Sequence, residues 1–148
     1  MKRIICVLLT LFLVFLLGGC EVDDRAKKED IISFVKEKEA NILECIETGD
    51  FQALEGNRPI LEISADGDCV DFYCGGMGFE SGSMYVGFFY SKDNDMKAVW
   101  YAPSLPERTL SPFGDGYIWK EEWTDEGGGN TYYVEKICEN IFYYEAHF

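Results

Sequence analysis

The sequence predicts an α+β domain, with one N-terminal amphipathic helix packed on an antiparallel, aromatic-rich, meandering sheet of about seven short strands. Three observations predict it. Apolar residues recur at helical spacing between Asp30 and Thr48. After Gly56 the pattern changes to short runs of β-branched and aromatic residues punctuated by glycine, asparagine and aspartate. Of the 23 aromatic residues in the chain, 19 lie between Phe72 and Phe148, often side by side. Neighbours along a strand point to opposite faces, so both faces of the sheet carry rings.

The chain begins with the positive triplet Met1-Lys2-Arg3, followed by an apolar run from Ile4 to Leu17 that Thr10 alone interrupts. A charged start, an apolar core and small residues before a cut form the signature of a secretory signal. A run of about 14 residues is shorter than the ~20 needed to span a bilayer. The ending Leu17-Gly18-Gly19-Cys20 resembles the bacterial lipobox, in which the cysteine thiol receives a diacylglycerol and becomes the new N-terminus. The expected organisation is therefore a signal peptide over 1–19, lipidated Cys20 with a charged tether over 20–29, and one globular domain over 30–148. Two acyl chains hold such a protein stably, palmitate being a typical one, on the outer face of the bacterial cytoplasmic membrane.

The helix comes next. Ile31, Ile32, Phe34, Val35, Ile42, Leu43, Cys45 and Ile46 fall on one half of the helical wheel, and Gly49 supplies the stop. Strands follow at Ile60–Ser64, Cys69–Cys74, Met84–Ser91, Lys97–Ala102, Tyr117–Trp123, Thr131–Ile137 and Ile141–His147. Turns are expected at Asp66-Gly67-Asp68, Lys92–Asp95, Thr124–Asn130 and Glu139-Asn140. Gly75–Ser83 and the proline-bearing stretch Pro103–Gly116 read as loops. With rings on both faces and one helix to cover them, closure into a barrel or sandwich is the expected core.

The formal charge is −14; without Lys2 and Arg3, 11 basic residues face 27 acidic ones, giving −16. That charge repels nucleic acid and anionic head groups, and attracts cationic peptides within a Debye length of ~8 Å. In an exported domain the four remaining thiols, Cys45, Cys69, Cys74 and Cys138, read as disulfides or buried thiols. Cys69 and Cys74 are about 16 Å apart along a regular strand, too far for a mutual bond or a shared metal. The chain has one histidine, His147, so a cysteine nucleophile lacks an evident base. No metal or cofactor is expected.

Four stretches carry a family resemblance: VDFYCGG (70–76), YVGFFYSKD (85–93), TYYVEKIC (131–138) and FYYEAHF (142–148). Together with the lipobox they resemble a family of small, uncharacterised lipoproteins of Gram-positive bacteria. The resemblance implies compartment and anchoring, and a bond between Cys74 and Cys138. Cys45–Cys69 would then be the complementary bond. It implies no chemistry.

The acidic turns DGD (66–68) and DND (93–95) lack the calcium-loop pattern and read as turn chemistry. Glu121, Glu122, Asp125 and Glu126 form a carboxylate cluster along one strand and its turn, not across a cleft, and read as a solvated edge. Glu135 and Glu145 are further candidates, with Glu145 expected diagonal to Lys136. Trp100, Trp119 and Trp123 are candidates to line an open face that binds a peptide, glycan or protein. The functional expectation is a non-enzymatic interaction module anchored to the envelope, with a cationic peptide or envelope protein as partner and envelope protection as one role. A small-ligand- or glycan-binding accessory lipoprotein comes second, an envelope hydrolase third.

Overall fold

The computed structural model describes residues 25–79, 82–98, 109–121 and 129–147. Among them one helix, α1 (Lys28–Thr48), precedes seven strands: β1 (Glu62–Asp66), β2 (Cys69–Phe79), β3 (Gly82–Ser91), β4 (Ser111–Phe113), β5 (Gly116–Lys120), β6 (Thr131–Cys138) and β7 (Ile141–His147). The strands form one open antiparallel sheet in the order β1-β2-β3-β7-β6-β5-β4. The expected single meander is thus two meanders, β1–β3 and β4–β7, joined where β3 pairs with β7. Among the described residues the sheet is open and the expected barrel or sandwich closure is not seen.

Helix α1 buries Ile31, Val35, Ile42 and Cys45, a stripe at helical spacing. It ends where Gly49 adopts φ 71° and its N–H bonds the Cys45 carbonyl at 2.8 Å, the left-handed stop that glycine makes without a Cβ penalty. Under the helix lie Phe72 and Phe88, stacked at 4.5 Å between ring centres, with Val86, Ile141 and Tyr143.

The opposite face is an equally dry layer of Phe89, Tyr132, Val134, Phe142, Tyr144 and Ala146. Adjacent Phe88 and Phe89 are both fully buried, which explains paired aromatics in the central strands. The topology also helps to cover this second face. The described ends of the segment between β3 and β4 pack on it: Met96, Ala98 and Leu110 lie against this layer, and the Tyr132 hydroxyl donates to the Met96 carbonyl at 2.9 Å.

Three expectations need correction. Gly75–Ser83 is not a loop but the paired tip of the β2–β3 hairpin, with Gly76, Met77, Gly78 and Phe79 opposite Tyr85, Met84, Ser83 and Gly82. A register shift between Tyr73 and Gly76 takes up Gly75, at φ 128°. β4 lies inside the stretch read as irregular, because Gly114 at φ 58° turns it back onto β5. Lys97 and Ala98 do not begin a strand; the rest of Lys97–Ala102 lies outside the described residues. Among the described residues no helix is long and apolar enough to cross a membrane.

Candidate functional site

The four thiols do not pair. Cys74 is on β2 and Cys138 on β6, three strand spacings apart, or ~14 Å, twice the ~7 Å limit for a disulfide. Cys45 packs in the helix-side core and Cys69 against the opposite layer, so the sheet itself separates them. All four are free. Burial, aided by neighbouring carboxylates, raises each of their pKa values, to about 12 for Cys69 (Asp71, Asp66 and Asp95 nearby) and about 11 for Cys138 beside Glu39. Since the thiolate is the nucleophile, these are packing thiols. Alkylation at pH 7.5 is expected to be slow at Cys69 and Cys138, and at Cys45 and Cys74 to require denaturant. Rapid labelling of Cys74, which is fully buried, would contradict this placement.

Of the three candidate tryptophans, one lies within the described residues. Trp119 on β5 is partly buried against the second-face core, and Trp100, Trp123 and Cys20 lie outside the described residues. So do Glu122, Asp125 and Glu126, while Glu121 is exposed at the end of β5 and its N–H bonds the Asn130 carbonyl. The acidic turns behave as turns: Asp68 pairs with Lys92 at 3.0 Å, and Asp95 accepts the Lys97 N–H at 2.9 Å. Among the described residues no three His, Cys, Asp or Glu side chains converge as metal ligands.

Two surfaces flank the helix at opposite ends of the sheet. At the end where the chain enters, the Ala26 N–H bonds the Cys74 carbonyl at 3.1 Å, and Lys28 pairs with Glu135. Lys28 also donates to the Tyr133 hydroxyl at 3.1 Å, and that hydroxyl donates to Glu135 at 2.6 Å. Burial opposes the charge on Glu135, yet Lys28 and Tyr133 outweigh it and hold the carboxyl below its ordinary pKa. Glu145 does not pair with Lys136; it accepts the Tyr143 hydroxyl at 2.6 Å. Beyond this clamp α1 leaves the sheet bare. A groove of about 460 Å³ opens there between Lys28, Phe113, Lys120, Tyr133, Glu145 and His147. Phe113 is 55% exposed, with the Lys120 ammonium 5.6 Å above its ring.

At the other end, the β1–β2 turn, the β3 terminus and the β6–β7 turn converge with the C-terminus of α1. A second groove, of about 550 Å³, lies between the helix and the β1–β2 hairpin. Its lining is mainly apolar (Leu43, Ile46, Phe51, Ala65, Val70 and Tyr90), with Glu47 and Asp68 at the rim. Glu44, Asp50 and Asp93 adjoin lining residues in the chain and stand exposed, as does Asp66 on the other face of the β1–β2 turn. The last turn of α1 holds no basic residue, so Glu44 and Glu47 face the negative end of the helix macrodipole. Such a placement costs about 0.3–1 kcal/mol per carboxylate. Glu47→Gln is therefore expected to stabilise the domain by about 0.5 kcal/mol in low-salt thermal unfolding, an effect that added salt removes.

Among the described residues one carboxyl group is buried. Asp71 on β2 is 5% exposed, faces the second layer, and its Oδ1 has no hydrogen-bond partner among the described residues. Burial raises its pKa to about 7, with Glu62 adding to the rise; the Tyr144 hydroxyl and the Phe72 N–H offset part of it. Sequence reading passed over Asp71 because an aspartate within VDFYC reads as a solvent-facing strand residue. The missing information was that both sheet faces are covered.

Neither family models, curated proteins nor solved structures give a match to this chain.

Proposed function

We propose that the chain is a lipid-anchored, extracytoplasmic binding module, of the small Gram-positive lipoprotein kind it resembles, that engages a cationic partner with the end of the domain turned away from the membrane. One observation carries the reading: a group of exposed acids gathers at the end of the domain opposite the tether, in addition to Glu29, Asp30 and Glu121 at the entry end. The chain is fastened to the sheet at Ala26 through the Cys74 carbonyl, and Cys20 stands six residues earlier. Six extended residues reach at most ~22 Å, so an anchor at Cys20 holds the entry end against the bilayer. The exposed acids Glu44, Glu47, Asp50, Asp66, Asp68 and Asp93 then face outward. Like charge on the envelope does not compete for that end, whereas a basic peptide is drawn to it over about a Debye length. Protection of the envelope from such a peptide is the role this arrangement suits.

The test has two parts. Metabolic labelling with palmitate should mark the full-length wild type and leave Cys20→Ser unlabelled. The labelled protein in neutral nanodiscs should bind oligolysine, and binding should fall steeply with salt. Absence of label on the wild type removes the anchoring half of the reading; salt-insensitive or absent binding removes the partner half. A second reading, uptake of a small ligand, is supported by the entry-end groove with its exposed Phe113.

A further inference from the structure

From the chemistry of the groove at the turn end we infer that the partner docks through an amphipathic cationic segment, an aliphatic side chain inserted between α1 and the β1–β2 hairpin and lysine or arginine on either side of it. The inference rests on the binding-module reading above and names the chemistry of its partner.

The floor and the rim of this groove make different demands. Leu43 is 38% exposed although it borders the apolar stripe of α1, and Ile46 and Phe51 are only partly buried. Together with Ala65, Val70 and Tyr90 they enclose about 550 Å³, room for one or two aliphatic side chains. A polycation alone leaves that surface wet. The rim excludes most alternatives to a cation. Glu47 and Asp68 border the floor and the exposed Glu44 and Asp50 adjoin the lining residues Leu43 and Phe51 in the chain, while the basic group in the lining, Lys92, is already paired with Asp68. A second copy of this chain would bring the same acids against each other. An anionic lipid or nucleic acid would meet the same repulsion, and an uncharged apolar segment would force the rim carboxylates to shed water without a partner.

The helix terminus points the same way. Glu44 and Glu47 oppose the macrodipole of their own helix, with no basic residue in its last turn. A ligand ammonium beside them would pair with the carboxylates and complement the negative end of the helix. The exposed apolar floor and the unfavourable acids are separate departures from what a stable surface favours, and one occupant relieves both.

The experiment compares two probes on the full-length lipidated chain in neutral phosphatidylcholine nanodiscs, with empty nanodiscs as reference. One probe is an amphipathic leucine–lysine peptide; the other is oligolysine of equal charge. The leucine–lysine peptide should bind at least about tenfold more tightly, the scale set by burying one leucine side chain. Leu43→Ser, which leaves the charge unchanged, should remove most of that advantage while leaving oligolysine binding intact. Glu47→Gln with Asp68→Asn should weaken both probes. Lys120→Ser, at the entry-end groove, should change neither. Equal affinity for the two probes, or no effect of Leu43→Ser, overturns the groove and leaves the charge-based reading standing. Loss of binding by both probes to the wild type overturns the two together.

Discussion

Asp71→Asn is expected to raise stability at pH 8 and to flatten its dependence on pH between about 4 and 7. The folded-state pKa of Asp71 is raised to about 7 from an ordinary 3.8, chiefly by burial. Between those values the folded protein holds a proton that the unfolded chain has released. The stability that goes with this proton is complete below about pH 4, declines by up to ~1.4 kcal/mol per pH unit, and is gone above about pH 7. Over that window the loss is about 4 kcal/mol as an upper estimate. Asparagine keeps the shape and never carries charge, so the gain at pH 8 should be about 1–3 kcal/mol. Urea unfolding of both proteins from pH 4 to 8 decides it. A variant that keeps the wild-type slope, or that is less stable at pH 8, would show that Asp71 is solvated.

Gly87→Ala should destabilise by about 3 kcal/mol, as overpacking at a backbone contact does. Gly87 lies on β3 between Tyr73 and Tyr144 of the neighbouring strands. A Cβ there would stand 2.4 Å from the Phe72 carbonyl oxygen and 2.8 Å from the Tyr144 hydroxyl. Propensity alone predicts the opposite sign, since alanine costs less chain entropy than glycine in a strand. Adding Tyr144→Phe should recover only part of the loss, because the carbonyl remains. The same relation recurs at Gly116, where a Cβ would meet the Val134 carbonyl at 2.3 Å and the Tyr133 hydroxyl at 2.9 Å. Both tyrosines project over a glycine on the adjacent strand, and in one case the phenol reaches the buried carboxyl of Asp71. Chemical denaturation of Gly87→Ala measures this directly; a change under about 0.5 kcal/mol would be too small for the clash.

Much of the fold was legible because it is local. The stripe from Ile31 to Ile46 and the stop at Gly49 specify α1 within a residue or two, and Asp66-Gly67-Asp68 and Glu139-Asn140 turn the chain where expected. The misreadings came from single-residue irregularities. In β6, Ile137 is bulged out between Lys136 and Cys138. It places Ile137 and Cys138 on the same helix-side core, where strict alternation puts them on opposite faces. That slip also produced the expected Glu145–Lys136 diagonal, replaced in the fold by Glu145 opposite Tyr133. In β2 the glycines of Gly75–Gly78 have the composition of a loop, yet Gly76 and Gly78 pair with β3, where the Met84 carbonyl approaches too closely for a side chain at Gly76. Among the candidate site residues, Cys74 and Cys138 illustrate the limit: a pairing inferred from resemblance ignores how many strands lie between.

By itself the sequence determined what depends on near neighbours and on composition: a signal-like start with Cys20 behind it, one helix, a succession of antiparallel hairpins, rings on both faces of the sheet and a strong excess of negative charge. Only the tertiary structure decided what depends on distant segments. It placed β3 beside β7, sent β4 to the far edge and buried Asp71 on β2. It set two strands between Cys74 and Cys138, and gathered Glu47, Asp68 and Leu43 around one groove. The physical reason is range. Helical period, turn residues and net charge act over a few residues or over the whole chain at once, whereas burial, thiol distance and groove chemistry arise from which strand lies beside which.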